Sequence, residues 1–369
     1  MKALAALGRP RVRRFPGRLF AAPCLVAILL LLAGYLGNKI AYVAVRDAIF
    51  TAYTSDPGAV YVDYPALAKS GFRVDRAESP RAFQQIDAAV GAGSLVRLRT
   101  LGDDTERAKG LARLVARHPA VPRTGCGFTD DLAEKAGELA KGARGCCSDF
   151  TQVFVALATA VGMPAREVTS NSHGFNEFSD RGLKKWVFID AQFGFIVRGE
   201  DGVPLSTLAF RDAVLQHHPF QLEFFQEAAL AAVNRATVEK NAFEMDGRQV
   251  QLSRTPYYSP EGLAMLAFPW GNNVFEATEL NLRLRLLPKP AARLISHLSG
   301  VRPRYVAIVD GPATSEVWKR RLVAVGFYAL LASLGAWTIQ LWLGWRRAVA
   351  TRRAEPVEDG RLSTAPPQG

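Results

Sequence analysis

The chain has 369 residues, of which 49% are hydrophobic, and 46 basic against 34 acidic residues give a formal net charge of +12. This length suits one large or two ordinary domains, and the apolar fraction is sufficient for a substantial core. The excess positive charge lies beside two long apolar segments, a distribution typical of membrane topology. No basic stretch with interleaved aromatic residues is present, so the charge gives no support to a nucleic-acid binder.

Two segments predict membrane spans. Residues 19–37 carry no charge and would extend about 28 Å as a helix, close to the ~30 Å hydrocarbon core of a bilayer. Residues 322–345 would extend about 36 Å and can span with tilt, and Trp342 and Trp345 near their end suit the interfacial aromatic belt. A cleaved signal peptide is the alternative for the first segment, but the apolar run is long and no A-x-A cleavage site follows it.

The short flanks of the first span predict the orientation. Basic residues without any acid precede residue 19, so both termini are expected in the cytoplasm and residues 38–321 outside it. We therefore expect an integral protein of a bacterial-type inner (plasma) membrane. The predicted organisation is a basic N-terminus at 1–18, a span at 19–37, an extracytoplasmic N-terminal region at 38–102, a core at 103–235, a C-terminal extension at 236–321, a span at 322–345 and a disordered tail at 346–369.

Helical periodicity is clear in the first half of the core. Residues 103–118 place Ala108, Leu111, Ala112 and Val115 on one face, with acidic residues at the start. Thr129 is a candidate cap for a second helix over 129–141, and a third follows Cys147, with its apolar series ending before Gly162 and Pro164. Another amphipathic helix is predicted over 220–236.

Three short runs after the third helix are typical of β-strands: Arg166–Ser170, Gly174–Ser179 and Lys184–Asp190. Asp180 begins a plausible turn between the last two runs. Helices followed by antiparallel strands predict an α+β domain.

Cys147 is the first candidate functional residue because it would stand at the N-terminus of the third helix. The positive end of the helix dipole and the unpaired backbone N–H groups there stabilise a thiolate. His173 begins one predicted strand and Asp190 ends a later one, so neighbouring antiparallel strands would bring the carboxylate against the imidazole. A nucleophile, a base and a carboxylate that orients the base are the components of a cysteine triad.

Four linked motifs then resemble the transglutaminase-like superfamily, whose members are related to the papain fold. They are Gly145-Cys146-Cys147-Ser148-Asp149, Gly162-Met163-Pro164-Ala165-Arg166, His173-Gly174-Phe175-Asn176-Glu177 and Trp186-Val187-Phe188-Ile189-Asp190. The resemblance covers about a quarter of the chain. It implies a papain-like fold, with a Cys-bearing helix packed on an antiparallel sheet.

The resemblance also assigns roles: Cys147 is the nucleophile, His173 the general base and acid, and Asp190 the orienting carboxylate. The implied reaction is acyl transfer or amide hydrolysis through a thioester, on an envelope protein or peptide, with no metal or cofactor. Acyl transfer also needs hydrogen-bond donors for the oxyanion of the tetrahedral intermediate, and the Cys147 backbone N–H can supply one. Some relatives use an upstream aromatic or Gln side chain as the second donor. Here that donor stays unassigned, because residues 103–144 contain no Trp, Tyr or Gln. The alternative is a catalytically weak or inactive scaffold that binds an envelope or export partner.

The four cysteines are too few for a disulfide framework. Cys24 lies in the first predicted span. A Cys126–Cys146 disulfide is one option in an oxidising compartment, and the oligomeric state has no signal in the sequence.

Overall fold

The computed structural model describes residues 25–32, 34, 39–54, 56, 58, 60–61, 73–74, 80–119, 131–170, 172–239, 257–272, 274–302, 304–309 and 314–354. The helices are α1 Lys39–Phe50, α2 Pro80–Val90, α3 Ser94–Arg99, α4 Asp104–Val115, α5 Leu132–Ala140, α6 Cys147–Ala160, α7 Thr207–Gln216, α8 Ala228–Val238, α9 Pro260–Leu263, α10 Val274–Arg283, α11 Lys289–Leu298 and α12 Thr314–Ala354. The strands are β1 Thr51–Thr54, β2 Arg73–Val74, β3 Ala165–Thr169, β4 Gly174–Asp180, β5 Lys185–Ile189, β6 Phe195–Arg198, β7 Gln221–Phe224, β8 Met265–Pro269, β9 Gly271–Asn272 and β10 Tyr305–Val309.

Helices α4 and α5 bury the faces that their periodicity predicted. The four apolar residues of α4 are at most 1% exposed, and the Asp103 side chain caps this helix by accepting a hydrogen bond from the Glu106 N–H at 3.0 Å. The cap of α5 is Asp131, which accepts from the Ala133 and Glu134 N–H groups. The prediction of Thr129 as the cap was therefore wrong, because the helix begins at Leu132; Thr129 itself lies outside the described residues.

The sheet has six strands in the order β1-β10-β8-β3-β4-β5. Strands β3, β4 and β5 are antiparallel neighbours and correspond to the three predicted runs. Their register places Asn176 opposite Glu167 on one side and opposite Ile189 on the other. The other three strands lie outside residues 103–235, so the N-terminal region and the C-terminal extension both contribute to the same sheet.

Three clusters of buried apolar residues lie in the described part of the chain, and the third joins α1, α11 and α12 through Val45, Leu294 and Phe327. Helices α2 to α6 share one cluster, which includes Leu111, Leu139, Phe154 and Leu157. The second contains aromatic residues of β4 and β5 with parts of α7, α9 and β8, among them Phe188 and Phe268. The chain is thus a mixed α+β structure, with α6 packed against the sheet that carries β4.

The prediction of one helix over 220–236 was wrong in its first part. Residues Gln221–Phe224 form β7, which pairs antiparallel with β6 and places Leu222 opposite Val197. The helix begins only at Ala228. The side-chain pattern explains why residues 221–224 form a strand and not a helix. Side chains two residues apart lie on the same side of a strand, and Leu222 and Phe224 both pack against the second apolar cluster.

Among the described residues, one helix is long and apolar enough to cross a membrane: the Val317–Ala350 part of α12. It contains the predicted span at 322–345, and its large apolar side chains are widely exposed, including Leu322 and Trp345. Residues 25–32 are helical, but 19–24, 33 and 35–37 lie outside the described residues. The first span therefore remains a prediction.

Candidate functional site

Cys147 is the first residue of α6, as the sequence predicted, and its side chain is half-buried. Asp149 shapes this helix start: its Oδ2 accepts a hydrogen bond from the Cys146 N–H at 2.9 Å, and its Oδ1 lies 3.3 Å from Nζ of the buried Lys135. The ammonium group compensates the carboxylate charge, so Asp149 can cap the helix with less opposition to a thiolate at its first residue.

Strand β4 is fixed against this helix at two points. The Asn176 side chain donates to the Thr151 carbonyl oxygen at 3.1 Å and to the Arg166 carbonyl oxygen at 3.3 Å, which ties α6 to β4 and β3. Gly174 lies where a Cβ would be 4.0 Å from the Cys147 Sγ. At that distance a Cβ would make only an ordinary van der Waals contact with the sulfur, so Gly174 places β4 directly beside the thiol.

His173 immediately precedes β4 and is 3% exposed. The Ser170 hydroxyl accepts from the His173 N–H at 3.0 Å, and the Ser170 N–H donates to the His173 carbonyl oxygen at 2.8 Å. The His173 Nε2 lies 2.8 Å from the Asp190 Oδ2. The Nδ1 atom is then the imidazole nitrogen left for the hydrogen bond between His173 and the Cys147 thiol.

Asp190 follows β5 and is fully buried. The backbone N–H groups of Gln192 and Phe193 each donate to its Oδ1 at 2.8 Å, and the Tyr258 hydroxyl donates to the same Oδ2 that pairs with His173. These donors satisfy both carboxylate oxygens and fix the plane of the group that orients the imidazole.

Electrostatics in the site favour a thiolate beside an imidazolium. Burial by itself raises the pKa of the Cys147 thiol, but the hydrogen bond and charge of His173 and the Gly174 N–H outweigh it and lower the pKa below its ordinary value. For His173 burial acts in the lowering direction, yet the Asp190 charge and hydrogen bond raise the pKa to about 9. The structure therefore brings together the three residues that the sequence singled out, in the order thiol, imidazole, carboxylate.

One comparison with known proteins decides the classification of this part of the chain. Residues 97–196 match the family model of the transglutaminase-like superfamily. These residues form a transglutaminase-like domain. The matched range includes α4 to α6, β3 to β5 and all three side chains described above. No curated protein and no solved structure matches the chain.

Buried polar contacts stabilise the transglutaminase-like domain behind the thiol. The Arg166 guanidinium pairs with the Glu177 carboxylate at 3.0 Å, and neither side chain is exposed. The same carboxylate accepts from the Tyr61 hydroxyl at 2.7 Å and the Thr207 N–H at 2.8 Å. The pairing with Glu177 gives Arg166 a structural role.

The cysteine beside the nucleophile is in a different chemical state. Cys146 is disulfide-bonded, whereas Cys147 is free. Cys24 and Cys126 lie outside the described residues, so the Cys126–Cys146 pairing stays a prediction. The disulfide leaves Cys147 as the thiol of this pair that is available for chemistry.

Sequence reasoning missed three residues around Cys147, His173 and Asp190. Tyr257 and Tyr258 come from the extension and contact His173 and Asp190. Glu167 on β3 lies near the thiol, since its Oε1 and the Cys147 Sγ are both within 4.0 Å of the position that a Gly174 Cβ would occupy. No motif in the sequence marks these three residues, because their proximity depends on strand register and on the return of the chain from the extension.

The charge of Glu167 raises the pKa of Cys147. It therefore acts against the helix dipole and the imidazolium, which stabilise the thiolate. Burial raises the pKa of Glu167 itself, while a hydrogen bond from Thr151 and the charges of Arg302, Arg46 and Arg293 act in the lowering direction.

Among the described residues no group of three His, Cys, Asp or Glu side chains is arranged as a metal site.

Proposed function

We propose that the chain is a membrane-anchored cysteine enzyme that transfers or hydrolyses an acyl group of an amide through a thioester on Cys147. The observation that carries this proposal is a half-buried thiol at a helix N-terminus, hydrogen-bonded to an imidazole that a fully buried carboxylate holds at 2.8 Å. The classification of residues 97–196 supports it, because a nucleophile, a base and an orienting group are the components of cysteine-dependent acyl transfer.

In the first step the Cys147 thiolate attacks the substrate carbonyl carbon and forms a tetrahedral intermediate. The Cys147 backbone N–H is placed to donate to the oxyanion. When the intermediate collapses, the His173 imidazolium gives its proton to the leaving amine and the thioester remains. Asp190 keeps the imidazole in one orientation and stabilises its charged form.

In the second step His173 takes a proton from the incoming nucleophile, which attacks the thioester and releases Cys147. Water as the nucleophile gives hydrolysis, and an amine gives transamidation. Both outcomes use the same side chains, so the acceptor depends on which molecule reaches the thioester first. The raised pKa of His173, about 9, keeps it protonated after the thiol has ionised and suits it to the acid role at neutral pH.

The proposed location is the outer face of a bacterial-type inner membrane, with spans at residues 19–37 and within Val317–Ala350 and with both termini in the cytoplasm. The Cys146 disulfide supports an oxidising compartment for the domain. The substrate in that compartment would be an envelope protein or peptide. An alkaline phosphatase fusion at residue 250 should be active, and an inactive fusion would refute this topology.

Acylation by p-nitrophenyl acetate tests the proposed chemistry in the full-length chain in detergent. The thiol should release nitrophenolate in a burst and carry an acetyl thioester that mass spectrometry assigns to Cys147. Cys147→Ala should abolish the burst, whereas the matched change Cys24→Ala, outside the domain, should preserve it. A burst of equal size in Cys147→Ala would exclude this nucleophile.

A non-catalytic scaffold that binds an envelope or export partner is the second candidate. The regions outside the 103–235 core favour it, because β1 from the N-terminal region and β8 and β10 from the extension join the central sheet and add surface beyond the three residues of the proposed reaction. Complementation separates the two functions. If Cys147→Ala and His173→Ala alleles both restore a deletion phenotype fully, the scaffold role is sufficient and catalysis is dispensable.

A further inference from the structure

Two consecutive tyrosines from the C-terminal extension contact the His173–Asp190 pair. Tyr257 and Tyr258 lie beyond residue 196, where the family match ends. They directly precede Ser259, whose side chain caps α9 by accepting from the Gly262 N–H. Helix α9 leads into β8, which pairs with β10 and β3 in the central sheet. The two tyrosines are therefore held by regular structure on their C-terminal side.

Tyr258 acts on the carboxylate. Its side chain is fully buried, and its hydroxyl donates to the Asp190 Oδ2. The ring packs among aromatic residues, with centroid distances of 5.7 Å to Phe195, 5.7 Å to Phe210 on α7 and 6.2 Å to Phe188. This packing holds the ring in a position from which its hydroxyl reaches Asp190.

Tyr257 acts on the imidazole. Its ring stacks on His173 with a centroid distance of 4.4 Å and an interplanar angle of 14°. Tyr258 meets the same imidazole edge-on at 5.8 Å and 90°, and Phe193 lies against it at 5.7 Å. The imidazole therefore has one face covered and further aromatic contacts around it, which restricts rotation of the ring.

We propose that Tyr257 and Tyr258 are positioning residues for acyl transfer: the Tyr258 hydroxyl sets the orientation of the Asp190 carboxylate, and the Tyr257 ring sets the plane of the His173 imidazole. This inference rests on the proposed function for its chemistry, since it concerns the same triad. Neither tyrosine exchanges a proton with the substrate in this scheme. Both act through the residue that they contact.

The physical reason for two such residues is the demand on the imidazole during turnover. His173 must accept and return a proton while its Nδ1 stays aimed at the sulfur and its Nε2 stays on Asp190. A small rotation of either group weakens the hydrogen bond that links them and misdirects the proton. The Gln192 and Phe193 N–H groups fix Asp190 Oδ1 from within the domain, and Tyr258 supplies the matching constraint on Oδ2 from outside it.

The test compares Tyr258→Phe and Tyr257→Leu with a control that removes a hydroxyl group outside the site, Tyr305→Phe on β10, in the full-length chain in detergent. Deuterium exchange at the imidazole C2 atom, followed by mass spectrometry from pH 5 to pH 10, gives the titration midpoint of His173. The wild-type midpoint is expected at about 9. Acylation by p-nitrophenyl acetate is measured on the same samples.

Tyr258→Phe removes a donor that competes with the imidazolium for the Asp190 Oδ2. The charge on this oxygen then acts more fully on His173, so the midpoint should rise by about one pH unit. Acylation should slow about tenfold as the carboxylate loses a constraint. The control Tyr305→Phe, at a ring that contacts His297, should match the wild type in both measurements, whereas Tyr257→Leu should accelerate C2 exchange because it uncovers the imidazole face.

Equal midpoints and equal acylation rates in the wild type and Tyr258→Phe would overturn the role of Tyr258. Equal C2 exchange in the wild type and Tyr257→Leu would overturn the role of Tyr257, and this second comparison stands even if Tyr258→Phe fails to fold. A wild-type chain that is not acylated, combined with a shifted midpoint in Tyr258→Phe, would refute the proposed enzyme while preserving the positioning contacts.

Discussion

Replacing Asp190 by Asn should abolish the ion pair between Cys147 and His173 while leaving the shape of the site almost unchanged. The Asn side chain keeps an oxygen for the Gln192 and Phe193 N–H groups. Its amide nitrogen then faces His173 Nε2, where a donor meets a donor unless the imidazole changes tautomer. In the other tautomer Nδ1 carries the proton and can no longer accept one from the thiol. The substitution removes both the charge and the orientation on which the imidazolium depends.

The magnitude follows from the pKa of His173. The shift from 6.5 to about 9 corresponds to about 3 kcal/mol in favour of the imidazolium, at about 1.4 kcal/mol per pKa unit. The Asp190 charge and hydrogen bond contribute most to this rise and the Cys147 thiol adds to it, so without Asp190 the midpoint should fall well below 9. The equilibrium constant for the thiolate–imidazolium pair should then decrease about tenfold for each unit by which the His173 pKa falls.

Alkylation kinetics measure this change at the sulfur. The full-length chain is treated with iodoacetamide at pH values from 4 to 10, and modification of the Cys147 peptide is followed by mass spectrometry. In the wild type the alkylation of Cys147 should become fast at a pH below the ordinary thiol pKa of 9.0, because His173 lowers the pKa of Cys147. In Asp190→Asn the pH at which Cys147 alkylation becomes fast should move toward 9.0. Deuterium exchange at the imidazole C2 atom should show a lower titration midpoint of His173 than in the wild type.

The control is Asp212→Asn, which removes the same charge from an exposed side chain that pairs with Arg211 at 3.5 Å. This substitution should leave the pH dependence of Cys147 alkylation and the pH dependence of His173 C2 exchange unchanged. If Asp190→Asn retains the wild-type midpoint of His173 and the wild-type alkylation profile, the carboxylate does not govern the imidazole, and the reasoning from the 2.8 Å contact fails.

The same shift predicts a pH dependence of stability. Because the folded-state pKa of His173 is raised, its stabilising contribution is fully present below 6.5 and is lost as the pH rises through about 9. Asp190→Asn should remove this dependence between pH 6.5 and 9. The free energy of unfolding, measured in urea across this range, reports the difference between the two proteins.

Three further predictions concern the surroundings of the triad. In Glu167→Gln, Cys147 alkylation should become fast at a lower pH than in the wild type, because the Glu167 charge raises the thiol pKa. Glu177→Ala should lower the free energy of unfolding by about 3–5 kcal/mol in urea, because it leaves the buried Arg166 guanidinium without its carboxylate. Maleimide mass tagging before reduction should label Cys147 and spare Cys146, and tagging after reduction should label both residues.

Each of these predictions has an outcome that contradicts it. An unchanged alkylation profile in Glu167→Gln would mean that the carboxylate is screened from the sulfur. Glu223→Ala is the control for Glu177→Ala, since Glu223 is one-third exposed and should cost less than about 1 kcal/mol; an equal loss in both variants would argue against the buried pair as the cause. Labelling of Cys146 without reduction would exclude its disulfide.

The sequence predicted the elements that local patterns determine. Helix α6 was evident because its apolar residues recur at helical spacing and because Gly162, with φ of +73°, ends it. Strands β3 to β5 were evident from composition and turn residues. The meeting of Cys147, His173 and Asp190 was inferred from a helix start and two strand ends, and the structure places these residues together.

The rest depended on interactions that the sequence does not display. Gln221–Phe224 forms a strand because β6 offers it a partner, and an amphipathic pattern alone does not distinguish that pairing from a helix. Tyr258 reaches Asp190 only because the extension returns to the central sheet through α9 and β8. Such long-range returns leave no periodic signal between residues 236 and 312.

The sheet also explains why the site should be considered together with the predicted membrane anchors. The family match at 97–196 contains β3, β4 and β5, but β3 would be an exposed edge without β8 beside it. Strand β8 follows Tyr257 and Tyr258 in the chain, and β10 and β1 continue the same sheet toward α12 and α1. An ion pair between Asp47 and Arg320 joins these two helices. The segments that complete the sheet around the triad are therefore the same ones that connect it to α12, so anchoring and active-site geometry depend on one continuous piece of structure.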